Sequence, residues 1–346
     1  PACPSGVKYE EIIEEAREIV VDARPVVQRA ARGALFSVLP YRRRLRLATG
    51  GMGAAPWMAK VDPLFAAAAT LAPPRAGSPR VRDLPPRVGA RPDGRPGPAR
   101  AVVGLLTGCA QSVFFKHVSA ATARVLSLEG CDVLVPRGQG CCGALSLHAG
   151  RAAQARRLAR RIVATFTRAG VDVLVTDVAG CGSAMKGYAR LLADDPTWAG
   201  PAERLAAKVR DVTEFLAELD PVATRHPVPV TVAYHDACHL AHGQGITDAP
   251  RRLLAAIPDL RVVDVADGGR CCGSAGTYNL TQPENATSLG DRKAAAVIAT
   301  GASVVAAGNP GCLLQIDAAL RRAGSPITSR HTTEILDRSL RGPTAA

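Results

Sequence analysis

The chain has 346 residues, 47% of them hydrophobic but only 4% aromatic, and carries 43 Lys and Arg against 30 Asp and Glu for a formal net charge of +13. That length suits two domains with extra segments, and the aliphatic content supports two cores packed from small side chains. No run of ~18 apolar residues exists to span a bilayer, and the basic residues are not interleaved with stacking aromatics, so nucleic acid is not an expected partner.

The chain opens on Pro1-Ala2-Cys3-Pro4. A Cys-Pro pair closes the cluster-binding run of bacterial ferredoxins, which makes Cys3 a candidate last ligand of an upstream 4Fe-4S domain; a lone surface thiol is the plainer alternative. Residues 9–23 are expected to form an amphipathic helix with Ile12, Ile13, Ala16, Ile19 and Val20 on one face. This acidic start does not read as a secretory leader. A cytoplasmic protein with reduced thiols, better suited to metal than to disulfides, is therefore the expectation.

Most of the positive charge lies in residues 24–100, where fourteen Arg and one Lys face three Asp for a net of +12. Apolar runs at 33–39 and 63–71 flank the basic stretch Arg42-Arg43-Arg44-Leu45-Arg46. Short surface helices are expected here, lying on the inner face of a membrane or on a partner. Residues 73–100, rich in Pro, Gly and Arg, read as an extended, partly disordered linker.

From residue 101 the pattern becomes regular. Strands are expected at 101–106, 132–135 and 171–175, with a helical stretch through Leu128 and one long helix over 144–169. The order recurs with strands at 230–234, 261–265 and 303–306. Strands alternating with helices argue for parallel α/β units. Each expected strand is followed by cysteine: Cys109, Cys141-Cys142 and Cys181 in the first copy, Cys238, Cys271-Cys272 and Cys312 in the second. Member by member the offsets are 129, 130, 130 and 131 residues, the mark of a duplicated unit. In such sheets ligands sit beyond the carboxyl ends of the strands.

Four thiolates brought together twice are what two iron–sulfur or metal centres need. Adjacent cysteines on a strand point apart, so the backbone must turn sharply for both to reach one centre. Gly140, Gly143 and Gly273 suit such a turn. Helices starting just beyond would lower the thiol pKa. The competing reading of any single cysteine is a buried core thiol. That reading fits Cys131, which has no counterpart in the second copy. Paired C-x2-C knuckles of zinc sites are absent, which favours a cluster while leaving zinc in a non-redox scaffold as the alternative.

Gly138-Gln139-Gly140-Cys141-Cys142-Gly143 also satisfies a dinucleotide fingerprint. The second copy, Gly268-Gly269-Arg270-Cys271-Cys272-Gly273, keeps the thiols and loses a required glycine, so a phosphate cradle is rejected. His235 and His239 flank Cys238, either to hydrogen-bond a cluster sulfur or to cap the next helix. His117, His148 and His331 are isolated. No Ser/His/Asp set and no paired carboxylates share a motif, so no catalytic residue is expected on this chain.

Gly108-Cys109, the run 139–145, Gly180-Cys181-Gly182-Ser183-Ala184, His235-Asp236-Ala237-Cys238-His239-Leu240, Cys271 to Gly276 and Asn309-Pro310-Gly311-Cys312 resemble the cysteine-rich CCG domains of the heterodisulfide reductases and their relatives. Among these the chain most resembles the iron–sulfur subunits of glycolate oxidase (glycolate dehydrogenase). The resemblance implies an α/β fold of two duplicated Rossmann-like CCG domains, at 101–228 and 229–346. Before them would come a helical and disordered linker at 24–100 and, at 1–23, the end of a ferredoxin-type 4Fe-4S domain. It also implies 4Fe-4S clusters held by Cys109, Cys141, Cys142, Cys181, Cys238, Cys271, Cys272 and Cys312, with Cys3 serving an upstream cluster. An FAD-containing partner would oxidise glycolate, and electrons would pass through this subunit to a quinone or another acceptor at the membrane. Lactate or anaerobic glycerol-3-phosphate dehydrogenase subunits are the near alternatives. The family pattern ends C-x-x-C, whereas here Cys181 is followed by Gly-Ser-Ala and Cys312 by Leu-Leu-Gln, so each set holds four thiols.

Overall fold

Two parallel sheets carry the cysteines. The computed structural model describes residues 9–21, 26–54, 83–266 and 268–342. The first sheet contains β1 (Arg87–Val88), β2 (Ala101–Leu106), β3 (Cys131–Leu134), β4 (Val173–Thr176) and β5 (Val209–Asp211). The second contains β6 (Thr231–Tyr234), β7 (Arg261–Asp264), β8 (Val304–Ala307) and β9 (Thr328–His331). Their orders are β1-β3-β2-β4-β5 and β7-β6-β8-β9, all parallel except the edge pair β1–β3. Removing β1 leaves the same order twice, so the duplicated spacing is a duplicated topology. Helices cover both faces, which is why Val103 to Leu106 are all buried.

The repeat extends past the cysteines. Asp211 and Glu214 form a capping box over the helix Val212–Leu219, and His331 and Glu334 do the same over Thr332–Arg341. Arg210-Asp211-Val212-Thr213-Glu214 and Arg330-His331-Thr332-Thr333-Glu334 are matching segments spaced 120 residues apart. The first copy spends its extra residues on the helices Tyr188–Leu191 and Ala199–Ala207, where the second runs one helix, Pro310–Arg322.

These terminal helices lock the two halves together. Thr332–Arg341 packs on Lys116–Leu128 of the first half, and Val212–Leu219 packs on Asp248–Ala255 of the second. One core includes Val103, Val125 and Leu126 with Val232, Tyr234, Leu254 and Leu336. The Arg124 guanidinium grips Asp337 at 2.9 and 2.8 Å, and buried Glu129 accepts from the Val222 and Ala223 N–H groups at 2.7 and 3.0 Å.

Several local expectations change. The single helix over 144–169 is two, Ala144–His148 and Ala152–Ala169, parted at Gly150 with φ of 72°. The helix Tyr9–Val21 crosses there: a Cβ on Gly150 would stand 2.4 Å from the Arg17 carbonyl oxygen. That helix does not bury its apolar face. Ile19 is 77% exposed whereas Glu14 is 5% exposed, because Glu14 finds His148 and Arg190 as partners. Val26–Val38 and Arg42–Ala54 are the expected surface helices, and Phe36 and Leu45 anchor them. Arg42, Arg46 and Lys116 converge on Asp83 at 2.6, 3.2 and 2.7 Å. Within the stretch expected as a linker, Arg87 and Val88 pair with Leu134 and Val133. Cys3 and the apolar run 63–71 lie outside the described residues. Among those described, no helix is long and apolar enough to cross a membrane.

Candidate metal centres

In the first copy, Cys109 follows β2, Cys141 and Cys142 follow β3, and Cys181 lies in the helix Ala179–Lys186 after β4. The strand order places these ends side by side at the reversal point of the sheet. Cys109 Sγ meets Cys141 Sγ at 3.4 Å and Cys142 Sγ meets Cys181 Sγ at 3.1 Å. Gly143 makes the sharp turn possible with φ of 90°, and its N–H donates to Cys141 Sγ at 3.4 Å. The Tyr188 hydroxyl donates to the Cys142 carbonyl at 2.6 Å and pins the loop from below.

This packing sets the acidity. The Cys141 thiol beside it, and then burial, drive the Cys109 pKa well up. Cys141 pulls on Cys142, but Cys181 and burial outweigh it and the Cys142 pKa also rises. In this quartet the expected lowering by helix ends does not occur, since the helix after Cys142 has only five residues and crowded, desolvated sulfurs dominate. Four crowded sulfurs, three buried and one half-buried, cannot ionise together unaided and become ready ligands once a cation shares their space. The donor set therefore fits a thiolate-held centre.

The second quartet has the same placement, with Cys238 opening the helix Cys238–Ala241 and Cys312 in Pro310–Arg322. Gly273 repeats the φ of 90° and donates its N–H to Cys271 Sγ at 3.3 Å. Here the directions of the shifts alternate. Hydrogen bonding to Cys271 raises the Cys238 pKa and lowers that of Cys271. Cys272 is likewise raised, first by Cys271 and then by Cys312, while Cys272, His235 and Asn309 lower Cys312 against its burial. Asn309 Nδ2 donates to Cys312 Sγ at 3.3 Å. The structure thus brings both sequence-defined quartets together.

Other candidates resolve differently. Cys131 starts β3 fully buried, its pKa pushed up to about 12 by desolvation, and acts as a core thiol. The Gly138-Gln139-Gly140 loop is stapled to β2, with Gln139 accepting from the Thr107 N–H at 2.8 Å and donating to the Leu105 carbonyl at 3.2 Å. His235 does not cap the next helix. It lies buried against Cys272 and Cys312.

Between the quartets lies a contact that sequence reasoning missed. His239 Nδ1 is 3.6 Å from Cys238 Sγ, and its Nε2 is 3.2 Å from His148 Nε2. His148 ends the short helix that leaves Cys142, and its Nδ1 lies 3.0 Å from Glu14. Arg190 completes the group at 2.9 Å from Glu14, and Arg17 donates to the His148 carbonyl at 2.7 Å. Burial, and then His148, lower the His239 pKa to about 4. The only sequence signal was the closeness of His148 to the Cys-Cys-Gly turn.

Residues 103–186 and 232–317 match the model of the cysteine-rich CCG domain, one copy in each half. A probable glycolate oxidase iron–sulfur subunit of Bacillus subtilis is 33% identical over 97% of this chain and 79% of its own length. Lactate utilization protein A of Exiguobacterium sp. is 31% identical over 69% of this chain and 98% of its own. The corresponding protein of Bacillus licheniformis is 32% identical over 68% of this chain and 98% of its own. The crystal structure of a hypothetical protein from Helicobacter pylori superposes with a TM-score of 0.54 at 9% identity, covering 70% of this chain and 49% of that one, a likeness of fold.

Proposed function

The chain belongs to the cysteine-rich CCG-domain family that includes iron–sulfur subunits of oxidoreductase complexes, and from that premise we propose that it is the electron-transfer subunit of a glycolate dehydrogenase. The observation carrying this reading is the convergence of eight buried or half-buried thiols into two quartets at equivalent strand ends, joined through His239 and His148. Cys109, Cys141, Cys142 and Cys181 would hold one 4Fe-4S cluster, and Cys238, Cys271, Cys272 and Cys312 the other, within domains at 101–228 and 229–346. Such a centre, when bound, supplies one-electron redox chemistry. This chain's residues hold the sulfur ligands, keep water from them and connect the two sets.

In this reading an FAD-containing partner converts glycolate to glyoxylate, which releases two electrons and two protons at the flavin. This subunit hands the electrons on singly to a quinone or another acceptor. Cys3 would serve a further cluster in the segment 1–23; the helix that begins at Tyr9, six residues on, docks on His148 beside both quartets. The likeness to lactate utilization proteins supports lactate as the second substrate reading.

Anaerobic purification with iron, sulfide and zinc analysis tests the cofactor: iron and sulfide are expected, and an iron-free, zinc-replete product overturns the proposal. A co-purified flavoprotein that bleaches on glycolate but not lactate supports glycolate, and the reverse selects lactate. The nine described cysteines are free thiols, in keeping with a cytoplasmic location. For peripheral attachment to the inner membrane face, exposed Arg43 and Arg44 are the residues to change, since Arg42 and Arg46 already face Asp83. Flotation with anionic liposomes should weaken in the double Gln variant, and unchanged flotation removes the membrane contact.

A further inference from the structure

The quartets differ in what stands behind them. Three residues before Cys109 is Leu106, and three before Cys238 is His235. Leu106 is buried in an apolar cluster. His235 is just as buried, 1% exposed, yet brings an imidazole among sulfurs. One of its ring nitrogens and the Sγ atoms of Cys272 and Cys312 lie within 4.8 Å of one another.

Nothing else nearby accounts for that imidazole. Among the described residues neither ring nitrogen has an oxygen or nitrogen partner. Facing only thiol sulfur, a weak partner, the buried imidazole is left short of a strong one, which is unfavourable by up to about 1–3 kcal/mol and which a bound metal would relieve. The backbone fixes the residue: the His235 N–H donates to the Ala306 carbonyl at 2.8 Å, continuing the β6–β8 pairing one residue past the strand. The side chain therefore sits at the mouth of the sheet, level with the cysteines. His239, the other histidine of the motif, is already engaged by Cys238 and His148. Asn309 meanwhile holds Cys312 in place on its far side.

We propose that His235 is a direct ligand of the second centre, which makes that centre a mixed sulfur–nitrogen site while the first is held by sulfur alone. The inference rests on the iron–sulfur reading above. A neutral imidazole adds no negative charge to the centre, whereas a thiolate in its place would add one and lower the potential.

The test is pulsed EPR on the anaerobically purified, reduced protein, with iron and sulfide quantified in the same samples. A nitrogen coupling of ligand size that changes when histidine is supplied with nitrogen-15 is expected in the unaltered chain. It should vanish in His235→Leu, which copies Leu106, and persist in His239→Phe. His235→Cys should keep the iron, lose the coupling and move the second midpoint potential to a more negative value. Normal iron and sulfide without a histidine coupling, or a coupling that survives His235→Leu, overturns the ligand assignment alone. An unaltered chain lacking iron and sulfide overturns the functional reading and this inference with it.

Discussion

His239 Nε2 stands 3.2 Å from His148 Nε2, so a residue beside one cysteine quartet touches the helix that leaves the other. The contact also ties both quartets to the N-terminal helix, because His148 Nδ1 meets Glu14 at 3.0 Å. Three segments far apart in the chain therefore meet at one polar cluster beside the thiols. Its integrity can be probed without touching a sulfur.

Glu14→Ala should loosen the helix Tyr9–Val21 by about 2 kcal/mol, because it removes the buried carboxylate shared by His148, itself mostly buried, and the half-exposed Arg190. Burial works to raise the Glu14 pKa, but His148 and Arg190 outweigh it and hold it below its ordinary 4.5. The stabilisation is thus present above pH 4.5 and is lost as pH falls through the lowered native value. Limited proteolysis of residues before 26 should be faster in the variant at neutral pH and should converge with the unaltered chain in acid.

Gly273→Ala should be more harmful than Gly143→Ala. Both glycines have φ of 90°, so either substitution carries about 1–2 kcal/mol of backbone strain. At Gly273 the new Cβ would also lie 2.6 Å from the Ala286 carbonyl oxygen, against 3.1 Å from that of Ala155 at Gly143. Thermal unfolding and iron content should both fall further in the Gly273 variant, and equal losses would contradict this ranking.

Asp177→Asn should stabilise the protein above pH 6 and leave it unchanged below pH 4. Asp177 is fully buried, and desolvation lifts its pKa from 3.8 to about 6 against hydrogen bonds from Thr122 and Gln111. A raised carboxyl contributes its stability below 3.8 and loses it as pH rises through 6, a difference of about 3 kcal/mol. Buried His331, lowered to about 4 by desolvation, slopes the opposite way over the same window. Buried Asp211, raised to about 6 by desolvation, keeps a falling limb in the variant, so urea unfolding at pH 4 and pH 7 should show a smaller loss of stability with rising pH than in the unaltered chain.

Asp337→Ala should destabilise both halves together. Asp337 is buried between Arg124 and Arg341, at 2.8 and 3.1 Å, so its loss leaves two guanidinium groups facing each other. Both guanidinium groups are over a third exposed and can be hydrated, so a loss of about 1–2 kcal/mol is expected. Because the core is continuous between the sheets, fluorescence and circular dichroism should still report one coincident transition. Two separated transitions would show that the halves fold independently.

The sequence by itself determined the duplicated α/β units, the placement of each thiol after a strand and the glycines at the two sharp turns. Those features are local: strand periodicity, a turn residue and a ligand spacing are each written within a few consecutive positions. The recurrence after β5 and β9 was also present in the residues, but an altered spacing of 120 hid it behind the cysteine offsets. Only the tertiary structure decided that Glu14 and not the apolar face of its helix is buried, that the helix over 144–169 breaks at Gly150, and that His148 meets His239. It alone brought His235 to Cys272 and Cys312. Each of these depends on residues brought together by packing across tens of positions or more, where desolvation, charge pairing and backbone clearance outweigh local preference, and no periodicity along a single segment records them.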